Sequence, residues 1–236
     1  HVMVDFGPSS LLSVLTRRVL RGTGATVVAL GEDPTMRALT DADSMPRPTT
    51  QWSTFLPTLV ADTDGDNATH RVVTRHTRRS HRSAFVLAGM NPTTVDAGIV
   101  VAAANAGHVA ELGGGGQVSA TIFTERMAEL AESLTEGHEV TFNALNLDPY
   151  LWDLHIGRER IVQRAREAGA PICGVTVSAG IPETDAAVAL IEELRDLGIW
   201  LNAFKPGTAD QVQEVLEIAD RIDGDLWLHL EGWRRR

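Results

Sequence analysis

From residue 84 to its end the chain repeats one pattern: an apolar run of strand length, a loop of glycine and polar residues, then a helical segment. The strand-like runs are AFVLAG, HVAEL, EVTFNAL, ICGVTVSAG, IWLNAFKPG and DLWLHLEG. The spacing predicts six strands and five helices in strict alternation. Wholly apolar strands separated by helices are those of a parallel sheet covered by helices. A doubly wound sheet would carry a phosphate-binding GxGxxG turn after its first strand, and AGMNPTTVDAG lacks that spacing. A TIM barrel instead puts glycines and polar residues after every strand, on one catalytic face. AGMNPTT, ELGGGGQ, NALNLDP, SAGIPET, FKPGTAD and LEG follow that rule. The predicted fold class is therefore α/β: an incomplete TIM-barrel-type (β/α) repeat of about six strands, preceded by a small α/β segment.

Local signals set the boundaries. The helix in TTVDAGIVVAAANAG is expected to begin at Thr93 or Thr94 as N-cap and to stop at Gly107. Ser119 is the expected cap of the next helix, and NLDPYLWDLHIG reads as a loop. Later helices are expected to end at Gly169 and Gly198, and the last strand to run from Leu226 to Leu230. Upstream, residues 1–60 read as a small α/β segment: a strand in HVMVDFG, an amphipathic helix in SSLLSVLTRRVL and a second strand in GATVVALG. A loop over residues 31–50 and a short helix in QWSTFLPTLV, ending near Pro57, complete it. Residues 61–83 form a basic connector, in which the acidic turn signal DTDGDN precedes HRVVTRHTRRSHR, a stretch with no acidic residue. The connector reads either as a solvated hairpin with basic faces or as a segment contacting an anionic phosphate, coenzyme or acyl-carrier surface. Residues 84–236 hold the barrel-type repeat.

Composition narrows the class. A hydrophobic fraction of 43% supports a sizeable core, and a formal net charge of -10 argues against nonspecific nucleic-acid binding. The single cysteine, Cys173, rules out an internal disulfide framework and fits a reducing cytoplasm; in PICGVTV it reads as a buried inert thiol. Neither a signal peptide nor an apolar run long enough to span a bilayer is visible. The chain starts without methionine, inside a strand-like run, and is expected to be a piece of something longer.

The loops also carry a resemblance. LAGMNPTTVDAGIVVAAANAGHVAELGGGGQVS resembles the start of the enoyl reductase domain of type I fatty acid synthases, which reads G-M-T-P-T-T-V, a helix, then N-A-G-x-x-x-E-L-x-G-G-G. FNALNLDPYLW, VSAGIP and FKPGT fall in family order, so the resemblance covers residues 84 to 232 nearly continuously. More weakly, VDFGPSSLLSVLTRRVLRGTG resembles the linker between acyltransferase and enoyl reductase in these synthases, and the best match is an actinobacterial one. The resemblance implies an FMN-bearing TIM barrel, similar also to nitronate monooxygenases. Its implied reaction is NADPH-dependent, FMN-mediated reduction of a trans-2-enoyl thioester, hydride reaching the β-carbon and a proton the α-carbon. The implied partners are an enoyl thioester on acyl carrier protein or coenzyme A and the other fatty acid synthase domains, in an oligomeric, cytoplasmic parent complex.

Carried onto this sequence, the resemblance gives a set of candidate cofactor-binding residues. Gly89, Met90 and Thr93 would bring backbone amides to the flavin ring, although Asn91 stands where the family has threonine; alternatively this loop is only a helix cap fixed by Pro92. Asn143 would bond the pyrimidine edge, or merely satisfy a loop. Lys205 is the only lysine of the chain. After a barrel strand it would stabilise negative charge on reduced flavin, or be an ordinary surface lysine. Ser178 and Gly180 would line the flavin or nicotinamide face, the glycine run 113–116 would allow close approach of a ligand, and Glu231 would bond the flavin or hold a partner. His108, His155 and His229 have no metal-ligand spacing, and His229 reads as a core or barrel-layer histidine. No Ser-His-Asp order with a nucleophile elbow occurs.

The family continues E-G-G-R-x-G-G-H-H after the sixth strand, and this chain has EGW and RRR. The expected histidine motif is absent after Gly232, so the catalytic acid is unassigned and the isolated chain is expected to be inactive. The alternatives are a nitronate monooxygenase-like flavin enzyme and a non-catalytic truncated structural segment.

Overall fold

The computed structural model describes residues 2–5, 26–29, 57–62 and 69–230. Strands β1 (Val2–Asp5) and β2 (Thr26–Ala29) pair in parallel. The helix expected between them, the loop at 31–50, the helix expected before Pro57 and the acidic turn at 63–68 fall outside the described residues. The basic connector is a hairpin followed by a helix. Strands β3 (Thr58–Asp62) and β4 (Thr69–Val73) are antiparallel and lead into α1 (Arg75–Ser80). A capping box starts α1: the Thr74 hydroxyl accepts from Thr77 N at 3.1 Å, and Thr77 Oγ1 accepts from Thr74 N at 2.8 Å.

The main sheet has six parallel strands in chain order: β5 (Val86–Leu87), β6 (Val109–Gly113), β7 (Val140–Leu145), β8 (Ile172–Ser178), β9 (Leu201–Phe204) and β10 (Trp227–Leu228). Each strand pairs with the next, so no strand order reverses, unlike a doubly wound sheet. Helices α2 (Ala97–Asn105), α3 (Ala120–Ser133), α4 (Pro149–His155), α5 (Ile161–Glu167), α6 (Thr184–Asp196) and α7 (Ala209–Ala219) fill the crossovers.

Three boundaries differ from the sequence expectation. Helix α2 takes Asp96, not Thr93 or Thr94, as its N-cap, because Thr94 turns inward and bonds Met90 at both its backbone and its hydroxyl. The segment read as a loop after β7 contains α4; Asp148 Oδ1 caps Leu151 N at 3.0 Å and Pro149 opens the first turn. The described residues therefore hold six helices after residue 84 rather than five. The last strand is Trp227–Leu228 alone, since β10 pairs only with β9. Ser119 does cap α3, and Gly107, Gly169 and Gly198 end their helices at positive φ, the conformation for which glycine carries no Cβ penalty.

Side chains alternate along the strands, apart from a register shift between β7 and β8 at Val140 and Thr141. Ala110, Leu112, Val140, Phe142, Ala144, Val175, Val177 and Phe204 point outward into the core under the helices. Phe123 of α3 meets Phe142 edge to face at 5.6 Å. Cys173 lies buried, and desolvation pushes its thiol up to about 12, so it is inert. The inward face carries the buried polar side chains of Glu111, Thr141, Asn143 and Thr176, beside Leu201 and Ala203 of β9.

The sheet curls. Strands lie about 4.8 Å apart, so β5 and β9 would be roughly 19 Å apart in a flat sheet. Yet Lys205 Nζ, just after β9, donates to Gly89 O, just after β5, at 3.2 Å. The stagger is that of a barrel. Pairing puts Glu111 level with Thr141 and, through it, Gly174, yet Glu111 is bonded to Thr176, two residues higher and two strands away. A climb of about one residue per strand corresponds to the shear of about eight in an eight-stranded TIM barrel. The six strands are an arc of such a barrel.

Candidate active site

The carboxyl ends of the strands converge on one point. Gly89 follows β5, Asn143 lies in β7, Ser178 ends β8 and Lys205 follows β9. Gly89 sits against Asn143 so closely that an added Cβ would lie 2.6 Å from Asn143 Cβ, which explains the glycine. Asn143 is 5% exposed, and Ser178 Oγ donates to its Oδ1 at 2.8 Å. Its amide Nδ2 is buried with no hydrogen-bond acceptor among the described residues. Lys205 is 7% exposed, so it is not an ordinary surface lysine.

The residue that organises these groups was not singled out in the sequence. Glu111, in the middle of β6, has no solvent exposure. Its Oε2 accepts from Gly89 N at 2.6 Å and lies 3.1 Å from Lys205 Nζ. Its Oε1 accepts from the Thr176 hydroxyl and stands 3.3 Å from His229 Nδ1. Burial alone would push this carboxyl up; His229, Lys205, Thr176 and Gly89 together outweigh it and hold the pKa below the ordinary carboxylate value. The signal was present in HVAEL: an acid at a mid-strand position, on the face opposite the apolar residues. His229 lies just past β10, its backbone N bonded to Phe204 O at 2.9 Å, and its ring turns toward the barrel interior rather than an apolar core.

Other candidates are placed differently. Met90 (46% exposed) and Thr93 lie on the outer surface of the loop after β5. Gly180 is buried at φ 109, with the space a Cβ would need taken by Leu147 and Asn146. The glycine run 113–116 lets the protein's own loop approach: added Cβ atoms would strike Asn91, Val95 and the Asn143 carbonyl. Glu231 falls outside the described residues. Among the basic residues read as a possible anion contact, Arg75 and Arg79 both reach Asp225 at 3.2 Å.

No family model matches the chain. It is similar to the fatty acid synthase beta subunit hexB of Dothistroma septosporum, 31% identical over 224 residues, covering 92% of this chain and 11% of that protein. It is likewise similar to the fatty acid synthase subunit beta of Saccharomyces cerevisiae (29% over 234 residues, 93% of this chain and 11% of that protein). The same holds for the Schizosaccharomyces pombe subunit beta (31% over 228 residues, 92% and 10%). The chain thus spans about a tenth of the length of the curated relatives it matches. Among solved structures, a nitroalkane oxidase from Streptomyces ansochromogenes aligns with a TM-score of 0.43 at 16% identity, over 56% of this chain and 43% of that one.

Proposed function

We propose, from the chain's homology to a segment of the fungal fatty acid synthase beta subunits, that it is the first part of an enoyl reductase barrel in a type I fatty acid synthase. In this reading it works with FMN and NADPH on trans-2-enoyl thioesters carried by acyl carrier protein or coenzyme A. The actinobacterial synthases are the proposed group. The observation that carries the reading is the convergence of the sole lysine, Lys205, and a buried amide donor without an acceptor, Asn143 Nδ2, on the side-chain-free Gly89.

These residues fit a planar, electron-accepting ring with a carbonyl edge. Asn143 Nδ2 would donate to that edge, and Ser178 holds the amide in orientation through Oδ1. Lys205 would place its ammonium where negative charge gathers on the ring, in a site dry enough for one charge to matter. Bound there, the flavin supplies two-electron transfer between NADPH and the enoyl thioester.

The test uses the synthase polypeptide carrying this segment. It is expected to show visible flavin absorbance and NADPH-dependent loss of an enoyl thioester. Both are expected to fall in Lys205→Met and Asn143→Ala. Oxidation of a nitronate without enoyl reduction would overturn the reading in favour of a nitronate monooxygenase-like enzyme.

A further inference from the structure

Glu111 has no part in the reading above, yet it contacts more of the site than any residue that does. We infer that Glu111 is the positioning residue of this site, holding Lys205 on the Gly89 loop while tying His229 to the same point. The inference rests on the reading of Lys205 as the charge-stabilising group.

The geometry is a closed ring. Gly89 N donates to Glu111 Oε2, Lys205 Nζ lies against that same oxygen, and Lys205 Nζ donates back to Gly89 O. One carboxylate oxygen therefore sets both where the ammonium sits and where the loop after β5 sits. The second oxygen takes the Thr176 hydroxyl and faces His229. A lysine buried without a counter-charge tends to lose its proton, because desolvation penalises the charged form. A fully buried carboxylate lies 3.1 Å from Nζ and supplies such a counter-charge. Another titratable group near this cluster is His76 of α1, which meets the inward ring of Trp227 edge to face at 4.8 Å and feels the charge of His229. It is a potential cation, so it cannot replace Glu111 as a counter-charge.

In the synthase polypeptide, reductive methylation with isotope-labelled formaldehyde followed by peptide mass mapping reads the rate at which Lys205 is modified. Glu111→Gln is expected to keep the far-ultraviolet circular dichroism of the parent. It is also expected to speed Lys205 methylation about tenfold, because the amine is released from the hydrogen-bonded carboxylate that fixes it. A folded Glu111→Gln with the parent's methylation rate overturns the inference. Should that variant not fold, Lys205→Met gives the reciprocal reading: acid unfolding is expected to begin at higher pH, and an unchanged acid profile overturns it. Neither readout involves flavin. Faster methylation of Lys205 in Glu111→Gln, without enoyl reductase activity in the parent synthase, sinks the functional reading alone; activity with an unchanged methylation rate sinks only the role of Glu111.

Discussion

At the amino end of the sheet Asp225 takes Arg75 and Arg79 at 3.2 Å each, with all three side chains in contact with water; inside the sheet Glu111 takes Lys205 at 3.1 Å with almost none. The distances are nearly the same and the consequences are not. A solvated ion pair gains little, because water already stabilises both charges and salt screens them. A buried pair has lost that water, so each partner depends on the other. The amino-end contacts clip α1 to the edge strand β10. The interior cluster holds β5, β6, β8, β9 and β10 to one carboxylate, and the candidate site is built on it.

The largest expected effect that sharpens this contrast is at the interior pair. Glu111→Ala or Lys205→Ala removes one partner of a buried ion pair and is expected to cost about 3–5 kcal/mol in urea unfolding; a loss below about 1 kcal/mol would place the pair in the solvated class. Gly89→Ala comes next. Its Cβ would press on Asn143, and overpacking of this kind costs about 1–3 kcal/mol, read as a lower melting temperature.

Acid should separate the contributions of neutral histidines from that of the carboxylate. Burial, then the charge of His229, lowers the pKa of His76 against a raising bond from the Ser83 backbone; burial lowers that of His155 against the Gln117 carbonyl and Asp148. A lowered pKa means that the folded state binds fewer protons than the unfolded one, so stability falls with pH. The histidine contributions are complete above the ordinary value of 6.5 and are lost below it. That of Glu111 is complete above 4.5 and is lost below. Urea midpoints at pH 8, 5.5 and 4 are expected to fall in two stages; a midpoint flat from pH 8 to 5.5 would break the histidine half of the argument. The smallest effect belongs to the amino end: Arg75→Ala and Arg79→Ala are expected to cost about 0–1 kcal/mol each, and less in high salt.

Much of the fold was legible before the structure. Apolar runs and helical segments marked β5 through β10 and their crossovers, because burial on one face leaves its period in the residues. Helix α4 was missed although its signal was there: Asp148 before Pro149 is a cap and a first turn, but Asp-Pro also marks turns. At Thr93 and Thr94 the sequence offers two equal caps, and only packing decided that Thr94 would turn inward. Among the candidate site residues, Lys205 stood out as the single lysine and Asn143 by its place near a strand end. Glu111 was passed over because it sits among apolar neighbours in a strand that reads as core.

The sequence by itself determined the alternation of strand and helix, the parallel order, and the gathering of glycines and polar side chains at one end of the sheet. These follow from local periodicity and from the turn each connection needs. Tertiary structure alone decided which residues meet. Glu111 and His229 are four strands apart and would lie roughly 19 Å from each other in a flat sheet; curl and a stagger of about one residue per strand bring them to 3.3 Å. Curl and stagger belong to the whole sheet, and no local pattern records them.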